Sequence, residues 1–309
     1  MKYYRTIIFI FILLVITFLA AYNYFKRPFF NEMTELTATV TPTPTIPNVQ
    51  VVKKDLNTKQ KLAQLLAVPF DLNAIQQQGE AALAADEATA KNLAWIDEQE
   101  PGFVIYFGDK IASSTALLAT KSIYESFDEV DYLPSIMVDH EGGSVQRLSG
   151  EGFTRLESWQ KIVNDYANVQ QQAIFQQAAF ELYASGINIV LAPVVDVASN
   201  SAVLKTRAAG DVDKLYQAAE NFVYIFAQYG VMPVIKHFPG IGASRVDLHD
   251  QPSTLSLREQ DTLIFSKLLN KGKLSKKIVL RVAKPSLLAS RYKRYKRNSS
   301  SHKIKTPAK

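Results

Sequence analysis

Between residues 55 and 270, short apolar, β-branched runs alternate with longer stretches of helical pattern. "KLAQLLAVPF" reads as a helix entering a short strand, and "EAALAADEATAKNLAWIDEQE" as one helix stopped by Pro101 and Gly102. "GFVIYFG" follows as a strand, "SSTALLATKSIYESF" as a helix with a serine N-cap, and "LPSIMVDHEGG" as a strand breaking into glycines. The rhythm continues through helix "NVQQQAIFQQAAFELYASG", strand "INIVLAPVVDV", helix "DVDKLYQAAENFVYIFAQYG" and strand "VMPVIKHF". Strands apolar on both faces and separated by helices predict an α/β fold with a parallel sheet, either doubly wound or closed as a (β/α) barrel.

Charged residues sit where these strands end. Asp139-His140-Glu141 follows "SIMV", Asp196 follows "LAPVV", and Lys236-His237 follows "MPVI". In both architectures that edge is where ligands bind. The two glycines after Glu141 permit close backbone approach, and Arg147 lies where it can turn back toward the same pocket. A Gly-Gly turn with solvated charges explains that segment equally well when it is taken alone. Asp196 reads as a structural charge at the rim.

The ends of the chain have a different character. Lys2 and Arg5 precede an apolar run from Ile7 to Ala21, extended by Tyr22 and Tyr24, which predicts a transmembrane signal anchor within residues 1–25. A cleaved signal peptide, ending near "FLAAY", is the rival reading. Residues 26–50 are Thr- and Pro-rich, as in an extended stalk, so the domain over 51–270 is expected outside the cytoplasm and tethered to a membrane.

Residues 271–309 hold 14 Lys or Arg and no Asp or Glu. The net charge of +6 therefore conceals a body, residues 1–270, with 21 basic residues against 29 acidic, at −8. The tail is too basic and Ser-rich to pack. Its "RYKRYKR" has the mixture that binds nucleic acids or anionic lipids, but beside an acidic domain a solvated segment is preferred and no nucleic acid partner is expected. The chain contains no cysteine, which removes disulfides, thiolate metal sites and a cysteine nucleophile. No metal spacing is evident and no cofactor is implied.

"VDHEGGSVQRLSGEGFTRL", "GINIVLAPVVDV" and "KHFPGIGASRVDLH", in this order, resemble the N-terminal barrel of glycoside hydrolase family 3 over about residues 55–270. The similarity is greatest to its β-N-acetylhexosaminidase branch. The resemblance implies a (β/α)8 TIM-like barrel, here expected to be incomplete at its C-terminal end, and a carbohydrate substrate containing N-acetylglucosamine. It implies sugar contacts from Asp139, Arg147, Lys236 and His237, with Arg207 in "LKTRAAG" as a further one. It also implies that His249 is the general acid/base and Asp247 its partner. Histidine suits the task because it titrates near neutral pH. Without the motif, His249 reads as an exposed loop histidine and His237 as a histidine hydrogen-bonded at a strand end.

Three departures from the family pattern stand out. His140 replaces its glutamine, and Ile241 replaces the histidine of Lys-His-Phe-Pro-Gly-His-Gly. The family's nucleophile is an aspartate expected after residue 270, whereas no Asp or Glu follows Asp261. A shift of reading frame near Lys271 to Lys277, or a truncated gene, is the hypothesis that would account for that change of composition. Two functions remain open: a retaining glycosidase, and an inactive relative that binds amino sugars or a cell-wall partner.

Overall fold

The computed structural model describes residues 56–127, 133–246 and 256–270. The expected anchor, stalk and basic tail lie outside the described residues, as do Asp247 and His249. Among the described residues no helix is long and apolar enough to cross a membrane.

Five parallel strands form the main sheet: β1 (Ala67–Asp71), β2 (Phe103–Phe107), β3 (Ser135–Val138), β6 (Ile189–Val190) and β7 (Met232–Pro233). Their order in the sheet is their order in the chain. Register runs through Val104↔Ile136, Val138↔Val190 and Val190↔Pro233. A doubly wound sheet reverses direction at a switch point, whereas this one advances a strand at a time, which is the winding of a (β/α) barrel. Two further strands, β4 (His140–Gly142) and β5 (Val145–Gln146), make an antiparallel hairpin directly after β3.

Nine α-helices are described. They are α1 (Thr58–Ala63), α2 (Asn73–Gln78), α3 (Ala82–Ala85), α4 (Glu87–Gln99), α5 (Ser113–Ser126), α6 (Trp159–Asp165), α7 (Asn168–Ala184), α8 (Val212–Gln228) and α9 (Glu259–Asn270). The single helix expected from residue 80 onward is broken at Asp86. That residue is extended, and its side chain accepts from the Thr89 N–H to begin α4 anew. The serine cap expected for α5 is also absent. Ser113 lies inside the helix, and the Gln76 side chain of α2 accepts from Ala112 N and Thr115 Oγ1 instead.

The strands were expected to be buried on both faces, but β2 and β3 alternate. Val104, Tyr106, Ile136 and Val138 are buried, and their neighbours are half-buried. The buried set faces the helices, since the Tyr106 hydroxyl lies 2.9 Å from Thr120 Oγ1 of α5. The opposite set, including Phe107, faces the inner side of the sheet.

Between α6, α7 and α8 the core is aromatic. Phe222 and Phe226, one turn apart on α8, stack at 3.9 Å between centroids, and Phe175 meets Phe222 edge-on at 5.1 Å. Trp159 closes the group at 5.8 Å from Phe222. Because every partner is a large ring, truncating the central one leaves a cavity that small shifts cannot fill. Phe222→Ala is expected to cost about 3–5 kcal/mol, read as a lower denaturant midpoint with an unchanged slope. A loss under about 1 kcal/mol would mean that these helices do not share this core.

Candidate functional site

The edge at which the parallel strands end carries a chain of charged side chains. Asp139 follows β3 directly, and Glu141 lies in the β4–β5 hairpin. Two left-handed glycines shape that hairpin, Gly142 at φ 95° and Gly143 at φ 59°. A Cβ on Gly142 would run into the Glu157 carbonyl, and one on Gly143 would press on Ser158. Gln146 ties the hairpin to the following loop: its Nε2 donates to Leu148 O and Thr154 O, while its Oε1 accepts from Leu156 N.

Lys236 arrives from beyond β7, where it bridges in parallel to Val194. Its Nζ lies 2.6 Å from Asp139 Oδ1 and 2.7 Å from Glu141 Oε1. Arg207 comes from the 3-10 turn Lys205–Arg207, in a loop closed at its base by the bridge Val197↔Ala209. Its guanidinium grips Glu141 with two bonds, Nε to Oε2 at 2.7 Å and Nη2 to Oε1 at 2.9 Å. The Glu141 side chain is only 1% exposed, so it depends on both cations, and losing either would leave a poorly compensated buried charge. Hydrogen bonding to Glu141 in turn raises the Arg207 pKa above the ordinary arginine value.

His237 follows Lys236 through a cis peptide bond. Its Nε2 is 3.5 Å from Arg207 Nη2, and its Nδ1 is 2.6 Å from Asp196 Oδ2. Asp196 is fully buried. The structural charge expected at the rim is thus enclosed instead: between the bridges at Val194 and Val197 this carboxylate turns inward, onto the histidine.

Of the residues singled out in the sequence, the structure thus joins Asp139, Lys236, Arg207 and His237 into one network. Arg147 borders it differently. Its backbone N–H donates to Asp139 O at 3.2 Å, and its guanidinium stands over the Phe107 ring, 5.6 Å from the centroid. Its Nε is buried without a hydrogen-bond partner among the described residues. Sequence reasoning missed Glu141 and Asp196. The available signal was position alone: Asp196 directly follows Val194-Val195, and Glu141 lies three residues past the end of "SIMV".

The comparisons with known proteins identify the family. The family model described as "Glycosyl hydrolase family 3 N terminal domain" matches residues 57–278. The chain belongs to glycosyl hydrolase family 3. It is 36% identical over 148 residues to a beta-hexosaminidase of Glaesserella parasuis, covering 45% of this chain and 43% of that one. With a beta-hexosaminidase of Stenotrophomonas maltophilia the identity is 32% over 196 residues, covering 59% and 57%. The chain thus spans about half the length of the curated relatives it matches. Among solved structures, NagZ from Neisseria gonorrhoeae, crystallised with N-trifluoroacetyl-D-glucosamine, matches with TM-score 0.51 and 28% identity over 66% of this chain and 60% of that one. The beta-N-acetylhexosaminidase from Beutenbergia cavernae matches with TM-score 0.51 and 27% identity, over 62% and 56%.

His140, set between the two site carboxylates in this family 3 domain, is fully buried, and neither ring nitrogen has a hydrogen-bond partner among the described residues. Burial, assisted by the charge of Arg155, pushes its pKa down to about 3. The unfolded chain takes up this proton near its ordinary value of about 6.5, and the folded chain only near 3. Its contribution to stability is therefore complete above about pH 6.5 and is lost as pH falls toward 3. His140→Gln is expected to flatten that loss, seen in urea midpoints between about pH 7 and pH 4. Parallel curves for the two proteins would show that the buried ring is not the cause.

Proposed function

We propose that the chain is a glycosidase of the β-N-acetylhexosaminidase type, acting on terminal β-linked N-acetylglucosamine in peptidoglycan fragments or similar glycosides. The observation that carries this reading is the Asp139–Lys236–Glu141–Arg207 network at the ligand-binding edge of the parallel strands. A neutral sugar is recognised through many hydroxyls, each a donor and an acceptor, and fixed charged groups make the strongest hydrogen bonds to them. The names of the relatives support the same substrate class.

In this reading Asp139, Arg147, Lys236, His237 and Arg207 hold the sugar. His249 donates a proton to the departing glycosidic oxygen and later accepts one from water, while Asp247 orients its ring and stabilises the imidazolium. Both follow Val246, the last described residue of the loop that begins at His237. A retaining route forms a covalent glycosyl intermediate on a carboxylate.

One observation motivates a second reading, an inactive relative that binds amino sugars: residues 262–309 contain no Asp or Glu. Hydrolysis of an aryl β-N-acetylglucosaminide by the full chain separates the two. The glycosidase reading expects turnover that falls about 10²- to 10⁴-fold in His249→Ala. A folded chain that binds N-acetylglucosamine without turnover establishes the second reading.

The proposal extends to location. Supported by the apolar run from Ile7 to Ala21 and the Thr- and Pro-rich residues beyond it, we place the domain outside the cytoplasm on a membrane anchor. The full chain is then expected in the membrane fraction, released by detergent and not by high salt. Release by salt alone would rule out an inserted anchor.

A further inference from the structure

We propose that Asp196 is a positioning residue of this site: it fixes the His237 ring with its proton on Nδ1, so that Nε2 meets the ligand as a hydrogen-bond acceptor. This rests on the sugar-binding reading of the site.

The geometry of the carboxylate leads to it. Asp196 is fully buried and receives three donors: Oδ2 takes the His237 backbone N–H at 3.2 Å and ring Nδ1 at 2.6 Å, and Oδ1 takes the Ile241 N–H at 2.7 Å. An ionised carboxylate can only accept, so the hydrogen between it and the ring belongs to Nδ1. In the neutral ring Nε2 then carries a lone pair. Among the described residues it meets a donor, Arg207 Nη2, at 3.5 Å, and that nitrogen is already bonded to Glu141 at 2.9 Å. The acceptor face of the ring is therefore only loosely engaged.

The ring is also held in place. Asp196 grips residues 237–241 at both ends, and Phe238 packs edge-on against Phe265 of α9 at 5.4 Å. Arg258 braces the same region by donating to Val197 O at 2.8 Å. The His237 side chain remains 29% exposed while Asp196 is wholly covered, so the end that can meet a ligand is the one away from the carboxylate. In a site whose other projecting groups include the donors Lys236 and Arg207, an imidazole acceptor supplies the complement that a ligand hydroxyl needs when it donates.

The test labels histidine with ¹⁵N in the full chain, purified in mild detergent. Only His140, His237, His249 and His302 contribute, and His237→Gln identifies the signal. At about pH 8, where ordinary histidines are neutral, the wild-type ring is expected to show the pattern of a protonated Nδ1. Asp196→Asn, whose amide can donate to Nδ1, is expected to move the proton to Nε2 and weaken N-acetylglucosamine binding about tenfold or more. A purely structural carboxylate would leave the tautomer unmoved in the variant, which overturns the proposal. A wild-type ring protonated on Nε2 overturns it as well, without need of a variant that folds. If the wild type shows the expected tautomer but does not bind N-acetylglucosamine, the sugar-binding reading fails and the Asp196–His237 arrangement stands apart from it.

Discussion

A buried carboxylate must be neutralised, and the architecture of this site follows from where the neutralising charges come from. Glu141 can remain out of water only while Lys236 and Arg207 reach it. Those cations belong to the segment after β7 and to the loop between β6 and α8, so one acidic side chain gathers three separate parts of the chain. The same lysine also bonds Asp139, and the same arginine approaches His237. The hairpin with its two left-handed glycines is the device that delivers Glu141 to this meeting point.

The network also gives the ligand-binding edge a graded character. At its centre Glu141 is almost wholly enclosed, whereas Asp139, Lys236, Arg207 and His237 each keep some access to solvent. The enclosed acid sets geometry, and the partly open groups are the ones that solvent reaches. Asp196 repeats this division, with a buried acid behind an accessible ring.

The positions of the strands and the charges at their ends were legible in the sequence because apolar runs that stop abruptly at a charge are hard to read otherwise. Glu141 and Asp196 were not legible as parts of the site. An acid beside two glycines looks like a solvated turn, and the histidine that Asp196 holds is 41 residues away. Strands of two or three residues, such as β4 and β5, carry too little periodicity to be seen. The break at Asp86 was hidden because the helical pattern resumes in phase after it. At α5, a serine in the right place outweighed a glutamine more than thirty residues earlier that does the work of satisfying the helix end.

The span of these contacts along the chain has an entropic side. Asp139 and Lys236 are 97 residues apart and Glu141 and Arg207 are 66 apart, so each contact closes a long loop of chain. By sequence separation alone, closing this network carries a larger loop-closure entropy than pairing neighbouring strands does.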